Sequence, residues 1–232
     1  MARKPALASV VSRYEKTLES SGNLYAAVKP YSNPTWETFQ GSDILHPAQA
    51  RAIISLAFLQ IVTAWEDYIE SVFVRYIAGA SSPKKYKPVS RISAAKDILH
   101  AYQLLSLNDK YSQKRNHLGW NNWNEVESLA RIFFESGRPF TKLSQIEIDR
   151  LKDAITIRNR IAHNSSKCRS AFIELSKRHL GLGKQNALPQ GFSTGKLLLI
   201  ESNRLFEKNS TIKPFFEHYL DIFSSISKKI CP

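Results

Sequence analysis

The stretch Ser144–His163, SQIEIDRLKDAITIRNRIAH, decides the predicted fold. Its first four residues, Ser144 to Glu147, match a capping box, in which the serine hydroxyl and the glutamate carboxylate each accept a hydrogen bond from a backbone N–H that the first helical turn leaves unpaired. At about 100° per residue, one wide face of the helix that follows is apolar. This apolar face consists of Ile148, Leu151, Ala154, Ile155, Ile161 and Ala162. The opposite face, predicted to be solvated, consists of Lys152, Asp153, Thr156 and Arg160.

Apolar residues recur every three or four positions through most of the remaining chain, which is the period of an amphipathic helix. The longest such segment runs from Pro47 to Ala78, and we expect it to be the central helix. Further helices are predicted over residues 5–21, 93–106, 123–136, 166–180, 196–206 and 214–229. No run of alternating apolar and polar residues bounded by turn residues indicates a β-strand. The sequence therefore predicts an all-α domain.

The composition bounds the class of protein before any site is considered. With 232 residues, of which 43% are hydrophobic, the chain is long enough to bury a full core, and one helical domain with appendages is expected. Lys and Arg outnumber Asp and Glu by 33 to 20, and the net charge of +13 favours a polyanionic partner. Nucleic acid is the first candidate. A helical scaffold at an anionic membrane has only this charge in its favour.

The cysteines and the apolar segments indicate a cytoplasmic protein. Two cysteines, Cys168 and Cys231, are too few for a disulfide framework and favour a reducing compartment. Residues 1–12 are basic but lack the apolar core of a secretory signal. The most apolar stretch, Ile53–Trp65, is interrupted by Gln60 and followed by acidic residues, so we expect no membrane span.

Arg158 lies in the middle of the apolar face of the Ser144–His163 helix. A guanidinium stays protonated and is costly to bury alone, so this position requires an acidic partner, a subunit interface or a bound anion. Glu66 or Glu70 is a candidate partner on a neighbouring helix, and the pattern alone does not choose among these explanations. His163 follows five residues later, about 140° around the helix, so the two side chains do not converge on one straight helix.

The segment Ile157-Arg158-Asn159-Arg160-Ile161-Ala162-His163 resembles the R-x4-6-H signature of the HEPN superfamily, with Asn159 at the usual polar position after the arginine. A second segment, Ala64–Ser71 (AWEDYIES), is similar to the early helix of the RiboL-PSP-HEPN group. The resemblance implies a single HEPN-like domain, a helical bundle of four to five core helices at about residues 48–180. Residues 1–47 are then an N-terminal extension and residues 181–232 a C-terminal helical extension.

The resemblance also implies an enzymatic activity, because many HEPN proteins cut RNA without a metal ion. The 2′-hydroxyl of RNA is the nucleophile, so cleavage requires a base for its proton, an acid for the leaving 5′-oxygen and positive charge on the phosphorane. His163 and Arg158 supply these roles, and Asn159 orients the histidine or the phosphate. Glu66 is a further candidate for the site. The expected products are a 2′,3′-cyclic phosphate and a 5′-hydroxyl.

The partners that the resemblance implies are RNA and a second copy of the chain. Many HEPN proteins dimerise so that their motifs face each other, which predicts a homodimer through the Arg158–His163 segment. The biological role would be that of a toxin or an antiphage effector, restrained by an antitoxin or another regulatory protein. The alternative is a non-catalytic HEPN-like module that binds nucleic acid or a partner protein. No cofactor is expected, and no metal, because the six histidines lack H-x-x-x-H or H-E-x-x-H spacing.

Basic residues outside the motif are expected to bind the RNA backbone. The residues chosen for this role are Lys84, Lys85, Lys87, Lys114, Arg115, Arg160, Lys167 and Arg169. Tyr86, Tyr111 or Trp120 is available to stack on unpaired bases. Any single lysine is better explained as a residue of the solvated surface that binds nothing. The net charge as a whole favours a face that binds a polyanion, with an affinity that falls as the salt concentration rises.

Overall fold

A computed structural model of the protein describes residues 6–32, 45–111, 119–206 and 211–232. These residues form eight α-helices and no β-strand, which confirms the predicted all-α fold. The helices, in chain order, are α1 (Ala8–Val28), α2 (Pro47–Ile77), α3 (Ile98–Ser106), α4 (Trp123–Phe133), α5 (Gln145–Ala162), α6 (Ser166–Leu180), α7 (Thr194–Leu199) and α8 (Phe215–Ile230).

The described chain divides into two compact units. Unit 1 consists of Met1–Lys16, Ala64–Ile148 and Phe223–Pro232, and unit 2 consists of Thr17–Thr63 and Asp149–Ile222. The segments expected to be extensions, residues 1–47 and 181–232, contribute to both units. The organisation as one domain with a core at residues 48–180 stays a prediction.

Aromatic side chains form much of the core in each unit. In unit 1, Phe73 packs against Phe140 and Phe134 with ring centroids 4.7 and 5.3 Å apart. In unit 2, Phe58 meets Tyr219 edge to face at 5.1 Å. Large rings of this kind contribute both buried apolar area and defined ring-to-ring contacts.

α1 continues past the point where the sequence predicts it to end. The predicted end at residue 21 depends on Gly22, but the helix runs to Val28 with Gly22 inside it. Tyr25 stacks on Phe216 with centroids 4.2 Å apart, and Val28 is buried. Burying a large apolar side chain is worth about 1.5–3 kcal/mol, which exceeds the cost of about 1 kcal/mol for a glycine within a helix.

α7 is shorter than predicted and begins earlier. The helix predicted over residues 196–206 is wrong at both ends, because α7 spans Thr194–Leu199. Ser193 caps this helix by accepting a hydrogen bond from the Lys196 N–H. Gly195 lies against α2 so closely that a Cβ atom there would be 2.2 Å from the Arg51 carbonyl oxygen. Only glycine therefore fits where the two helices meet.

α2 is long and apolar enough, by length and composition, to cross a bilayer, the one such helix among the described residues. Half of its most apolar window is buried within the protein, which is also the pattern of a core helix. Ile54, Phe58 and Ile61 have no exposed surface. The expectation that the chain does not span a membrane stays a prediction.

Side chains cap the N-termini of both α5 and α6, and the sequence predicted the first of these caps. The Ser144 N–H donates to a Glu147 carboxylate oxygen at 2.9 Å, and the Glu147 N–H donates to Ser144 Oγ at 3.3 Å, which confirms the capping box. Ser165 Oγ caps α6 by accepting a hydrogen bond from the Cys168 N–H. Only residues 163–165 separate the two helices.

Candidate active site at the end of α5

The R-x4-6-H segment emerges at the surface of unit 2, in the last turns of α5. Ile157, directly before it, is 1% exposed. Residues 158–161 are half-buried, and Ala162 and His163 are exposed. Within the apolar face predicted for this helix, Leu151 and Ala154 are buried, whereas Ala162 at its end is exposed. His163 is therefore accessible to a large ligand.

Arg158 makes a hydrogen bond to its neighbour in the chain. Its Nη1 donates to Asn159 Oδ1 at 3.0 Å. A guanidinium carries five N–H donors in a rigid planar fork, so this bond to an amide oxygen helps to fix the orientation of the plane. The polar residue after the arginine thus contacts the guanidinium, and its predicted contact with the histidine or a phosphate stays a prediction.

His163 is the first residue after α5. Its N–H donates to the Asn159 carbonyl oxygen at 2.9 Å, so the backbone still follows the helical path at this position. Asn159 and His163, one turn apart, therefore share a side of the helix, whereas Arg158 is about 140° around the axis from His163. Within one chain, the guanidinium and the imidazole leave the helix on different sides.

Arg160, predicted to bind RNA, hydrogen bonds to the connection between α5 and α6. Its Nη1 donates to the His163 carbonyl oxygen at 3.3 Å and to Asn164 Oδ1 at 2.9 Å. A basic side chain is favourable at this end of a helix, because it satisfies the last carbonyl groups and complements the helix dipole. Arg160 thus holds the backbone of His163 and stays half-exposed, and its contact with RNA stays a prediction.

Glu66 lies on the part of α2 that belongs to unit 1, and it is half-buried. The three motif residues belong to unit 2, and the role of Glu66 in the site stays a prediction. Glu70, the other carboxylate considered as a partner of Arg158, accepts a hydrogen bond from the Tyr102 hydroxyl at 2.6 Å within unit 1. That contact gives Glu70 a structural role beside α3.

The other basic residues predicted to bind RNA are divided between the units. Five of them are exposed, namely Lys84, Lys85 and Lys87 after α2 in unit 1, and Lys167 and Arg169 in the first turn of α6 in unit 2. Lys114 and Arg115 lie outside the described residues. Exposure fits the proposed role of the five, which stays a prediction.

Two of the three aromatic residues predicted to stack on bases are buried. Tyr111 is 6% exposed and stacks on a second tyrosine ring at 5.1 Å. Trp120 is 5% exposed and packs against Phe73 at 5.3 Å. Their predicted role is wrong, because a buried ring has no free face on which a base could stack. Burial of such a large ring is favourable because it removes apolar surface from water. Tyr86 remains partly exposed, with Lys142 Nζ 5.2 Å from its ring centroid.

Asp153 is buried in unit 2, at 4% exposed, so its predicted place on a solvated face is wrong. Arg150, one turn earlier on α5, lies 2.9 Å from the Asp153 carboxylate. Two residues of α6 complete the cluster: Arg178 pairs with one carboxylate oxygen, and His179 Nε2 lies 3.0 Å from the other. The i,i+3 spacing of Arg150 and Asp153 is a local signal for an ion pair, but nothing in the pattern indicates the partners from α6.

Arg150 in this buried cluster also contacts the segment that follows α7. Arg150 Nη1 donates to the Leu205 carbonyl oxygen at 2.9 Å, and its guanidinium lies 5.7 Å from the centre of the Phe206 ring. Burial lowers the pKa of His179 below its ordinary value, although the hydrogen bond to Asp153 acts in the opposite direction. Among the described residues, no group of three or more His, Cys, Asp and Glu side chains could hold a metal ion.

Comparison with known proteins gives one match. A family model described as RiboL-PSP-HEPN matches residues 37–181, more than half of the chain. The matched range contains both Ala64–Ser71 and Arg158–His163 and ends directly after α6. No curated protein and no solved structure matches the chain at a significant level. The family match indicates an RNA-related function in general terms.

Proposed function

Because the chain belongs to the RiboL-PSP-HEPN family, we propose that it is an endoribonuclease that cuts RNA without a metal ion. The observation that carries the proposal is the surface position of Arg158, Asn159 and His163 at the end of α5. HEPN proteins are often ribonucleases, and these are the residues that match the superfamily's motif. An arginine, an amide and an imidazole on one accessible helix end are suited to a phosphodiester.

Each motif residue has one role in the proposed reaction. His163 removes the proton of the 2′-hydroxyl, whose oxygen attacks the adjacent phosphorus as the bond to the 5′-oxygen breaks, and the leaving 5′-oxygen takes a proton from water. Arg158 stays charged and binds the phosphorane oxygens, and Asn159 orients the guanidinium. The products are a 2′,3′-cyclic phosphate and a 5′-hydroxyl.

A second copy of the chain completes the proposed site. Arg158 and His163 of one chain leave α5 on different sides, so a single chain does not direct both at one phosphate. In a two-fold dimer the same segment of each copy meets the other, and Arg158 of one copy faces His163 of its partner. The half-buried Arg158 and the exposed His163 leave surface for this contact.

We propose that the enzyme is a cytoplasmic toxin or antiphage effector that an antitoxin or another regulatory protein restrains. An unrestrained ribonuclease damages the RNA of its host, so expression of the chain alone is expected to slow growth. Arg158→Ala and His163→Ala are each expected to relieve this effect. A non-catalytic module would leave growth of the wild-type and variant strains equal.

The decisive experiment incubates the purified protein with 5′-labelled single-stranded RNA in EDTA. The wild type is expected to cut the RNA and leave 2′,3′-cyclic phosphate ends, and His163→Ala is expected to cut at least about 100-fold more slowly. RNA with a 2′-deoxy sugar at the cut position is expected to stay intact, since it lacks the nucleophile. Lys16→Ala, an exposed position on α1, is the control and should keep wild-type activity.

Three results would contradict the proposal. Cleavage of the 2′-deoxy substrate would exclude attack by the 2′-hydroxyl. Cleavage that EDTA abolishes and Mg²⁺ restores would show a metal-dependent enzyme. Binding of RNA with no cleavage under any condition would identify the chain as the non-catalytic alternative.

A further inference from the structure

A groove between α5 and α6 in unit 2 has no role in the chemistry proposed above. Its volume is about 570 Å³, within the range of ligand sites in proteins. One face of each helix and the segment after α6 form its walls. The residues that matter for its chemistry are Lys152 and Thr156 on α5, Glu174, Lys177 and Arg178 on α6, and Lys184 beyond it.

The groove is cationic. Four lysine and arginine side chains line it against two carboxylates, those of Asp153 and Glu174, an excess of two positive charges. Asp153 is buried and already paired with Arg150 and Arg178, so its charge is neutralised within the protein. The Glu174 side chain is 66% exposed, and its carboxylate lies 4.0 Å from Lys177 Nζ. This exposed ion pair is weak, so the lysine compensates the charge of Glu174 only in part.

Two of the lysines present their charge to solvent while their backbone is held. Lys152 and Lys184 are both exposed. The carbonyl oxygen of Lys152 accepts a hydrogen bond from Thr156 Oγ1 at 3.1 Å, and that of Lys184 accepts one from Lys177 Nζ at 2.7 Å. Substituting either side chain at position 152 or 184 therefore leaves these bonds in place.

The helix geometry connects this groove to the motif. α5 and α6 run antiparallel, because Asp153 contacts Arg178 and His179 across a connection of three residues. On α5, residues 152, 156, 159 and 163 recur every three or four positions and share one side. On α6, residues 167, 171, 174 and 178 do the same. Members of both sets line the groove, so the two sets face the same side of the helix pair. They define one path along the pair, with His163 and Lys167 at the end near the connection and the groove at the other end.

The length of this path suits a strand rather than a single nucleotide. At 1.5 Å per residue, Thr156 lies about 10 Å and Lys152 about 16 Å along the axis from His163. Positively charged grooves that follow a single strand cover about 4–16 nucleotides. The groove's lining contains no aromatic side chain on which a base could stack, so its recognition would be of phosphates and independent of sequence.

We propose that the α5–α6 groove binds the sugar–phosphate backbone of a single-stranded RNA several nucleotides from the bond that is cut. Lys152 and Lys184 contact phosphates there, and Lys167 contacts the backbone between the groove and His163. This inference rests on the proposed function, since His163 sets the position of the cut. The groove supplies affinity for long substrates and takes no part in the chemical step.

The test compares two double variants that change the net charge equally. Lys152→Glu/Lys184→Glu alters the groove, and Lys16→Glu/Lys228→Glu alters exposed lysines that do not line it. Binding of fluorescent RNAs of 3 and 12 nucleotides is measured by anisotropy in a His163→Ala background, so that no RNA is cut. Thermal unfolding verifies that both double variants are folded.

The groove variant is expected to bind the 12-nucleotide RNA about tenfold more weakly than the control and to bind the 3-nucleotide RNA equally well. The slope of log K against log salt for the longer RNA should become shallower by about 1.4, or about 0.7 for each of two lost phosphate contacts. With His163 restored, KM for the longer RNA should rise about tenfold and kcat should change less than about twofold.

The outcomes separate the groove from the enzyme. The groove proposal is overturned if both double variants weaken RNA binding equally. It is also overturned if the groove variant loses the same affinity for the 3- and the 12-nucleotide RNA. Competition by free AMP that is as strong as competition by RNA also overturns it and indicates a nucleotide site. A chain that binds long RNA through the groove but cuts nothing supports the groove and contradicts the proposed function. If the chain cuts long RNA and the groove substitutions leave this cleavage unchanged, the proposed function is supported and the groove proposal is contradicted.

Discussion

α5 carries two sets of charged residues, and the structure treats them in opposite ways. In the middle of the helix, Arg150 and Asp153 are 5% and 4% exposed, and each is bonded to groups elsewhere in unit 2. At the end of the helix, Arg158 and His163 are half-buried and exposed, and Arg158 bonds to its neighbour in the chain. A buried charge is costly to leave without its partner, whereas the exposed His163 at the end of the helix is accessible to a ligand.

The largest expected effect concerns His163. His163→Ala should lower kcat/KM for RNA by about 10²–10⁴-fold, because it removes the general base. The free energy of unfolding should change by less than about 0.5 kcal/mol, because the side chain is exposed. Single-turnover cleavage and urea unfolding of the same preparation measure the two effects. A large loss of stability would show that His163, like Arg150 and Asp153, serves the fold, and would contradict its proposed role as an accessible catalytic group.

Asp153→Ala should give the converse result. It leaves the buried Arg150 without its carboxylate, and breaking a buried ion pair in this way destabilises a protein by about 3–5 kcal/mol. Asp153→Asn, which keeps the shape and one acceptor oxygen, should destabilise it less. Urea unfolding measures both changes. If Asp153→Ala were as stable as the wild type but inactive, Asp153 would belong to the active site.

Mixing two inactive variants tests whether the site is shared between chains. Arg158→Ala and His163→Ala should each be inactive alone, and a mixture allowed to exchange subunits should recover roughly a quarter of wild-type activity. Half of the dimers are then mixed, and each mixed dimer has one intact Arg158–His163 pair across the two-fold axis. No recovery after exchange that is verified by a mass-tagged subunit would show that the pair acts within one chain.

Stability should fall as the pH drops below about 6.5. Burial lowers the pKa of His179, and burial with the nearby Lys213 charge lowers that of His218, so the unfolded chain binds more protons than the folded one between the unfolded and folded pKa values. Stability is therefore complete above the unfolded pKa of ~6.5 and decreases toward the lowered folded values. Urea unfolding at pH 7.5 and 5.5 measures the difference.

His179→Gln keeps a donor toward Asp153 and should weaken this pH dependence without abolishing it, since His218 remains. His163→Gln, at the exposed end of α5, is the matched control and should leave the pH dependence as in the wild type. Equal effects of the two substitutions would show that burial of His179 is not the cause.

The smallest expected effect concerns Arg160. Arg160→Ala removes the bonds to the His163 carbonyl and to Asn164, and should lower stability by about 0.5–1.5 kcal/mol and kcat a few-fold. Arg169→Ala, exposed on α6, should leave stability within about 0.5 kcal/mol. A loss of RNA affinity with no change in kcat or stability would restore RNA binding as the main role of Arg160.

Local signals predicted the helices that have strong caps and a clear apolar period. The Ser144–Glu147 box placed the start of α5 correctly, and Gly181 marked the end of α6. The errors arise where distant groups outweigh local preference. Gly22 lies within α1 because Tyr25, beyond it, stacks on Phe216 within unit 2, and Gly195 lies within α7 where that helix touches α2. Propensities of about 1 kcal/mol are smaller than such packing energies.

The candidate site divides in the same way. The order and spacing of Arg158, Asn159 and His163, and the phase that separates Arg158 from His163, follow from the sequence, because a helix sets them with no outside contact. The burial of Asp153 and the groove beside it required α6 to return antiparallel and bring Arg178 and His179 to α5. Side-chain periodicity shows which residues share a face, but only the packed partner decides whether that face meets water or protein.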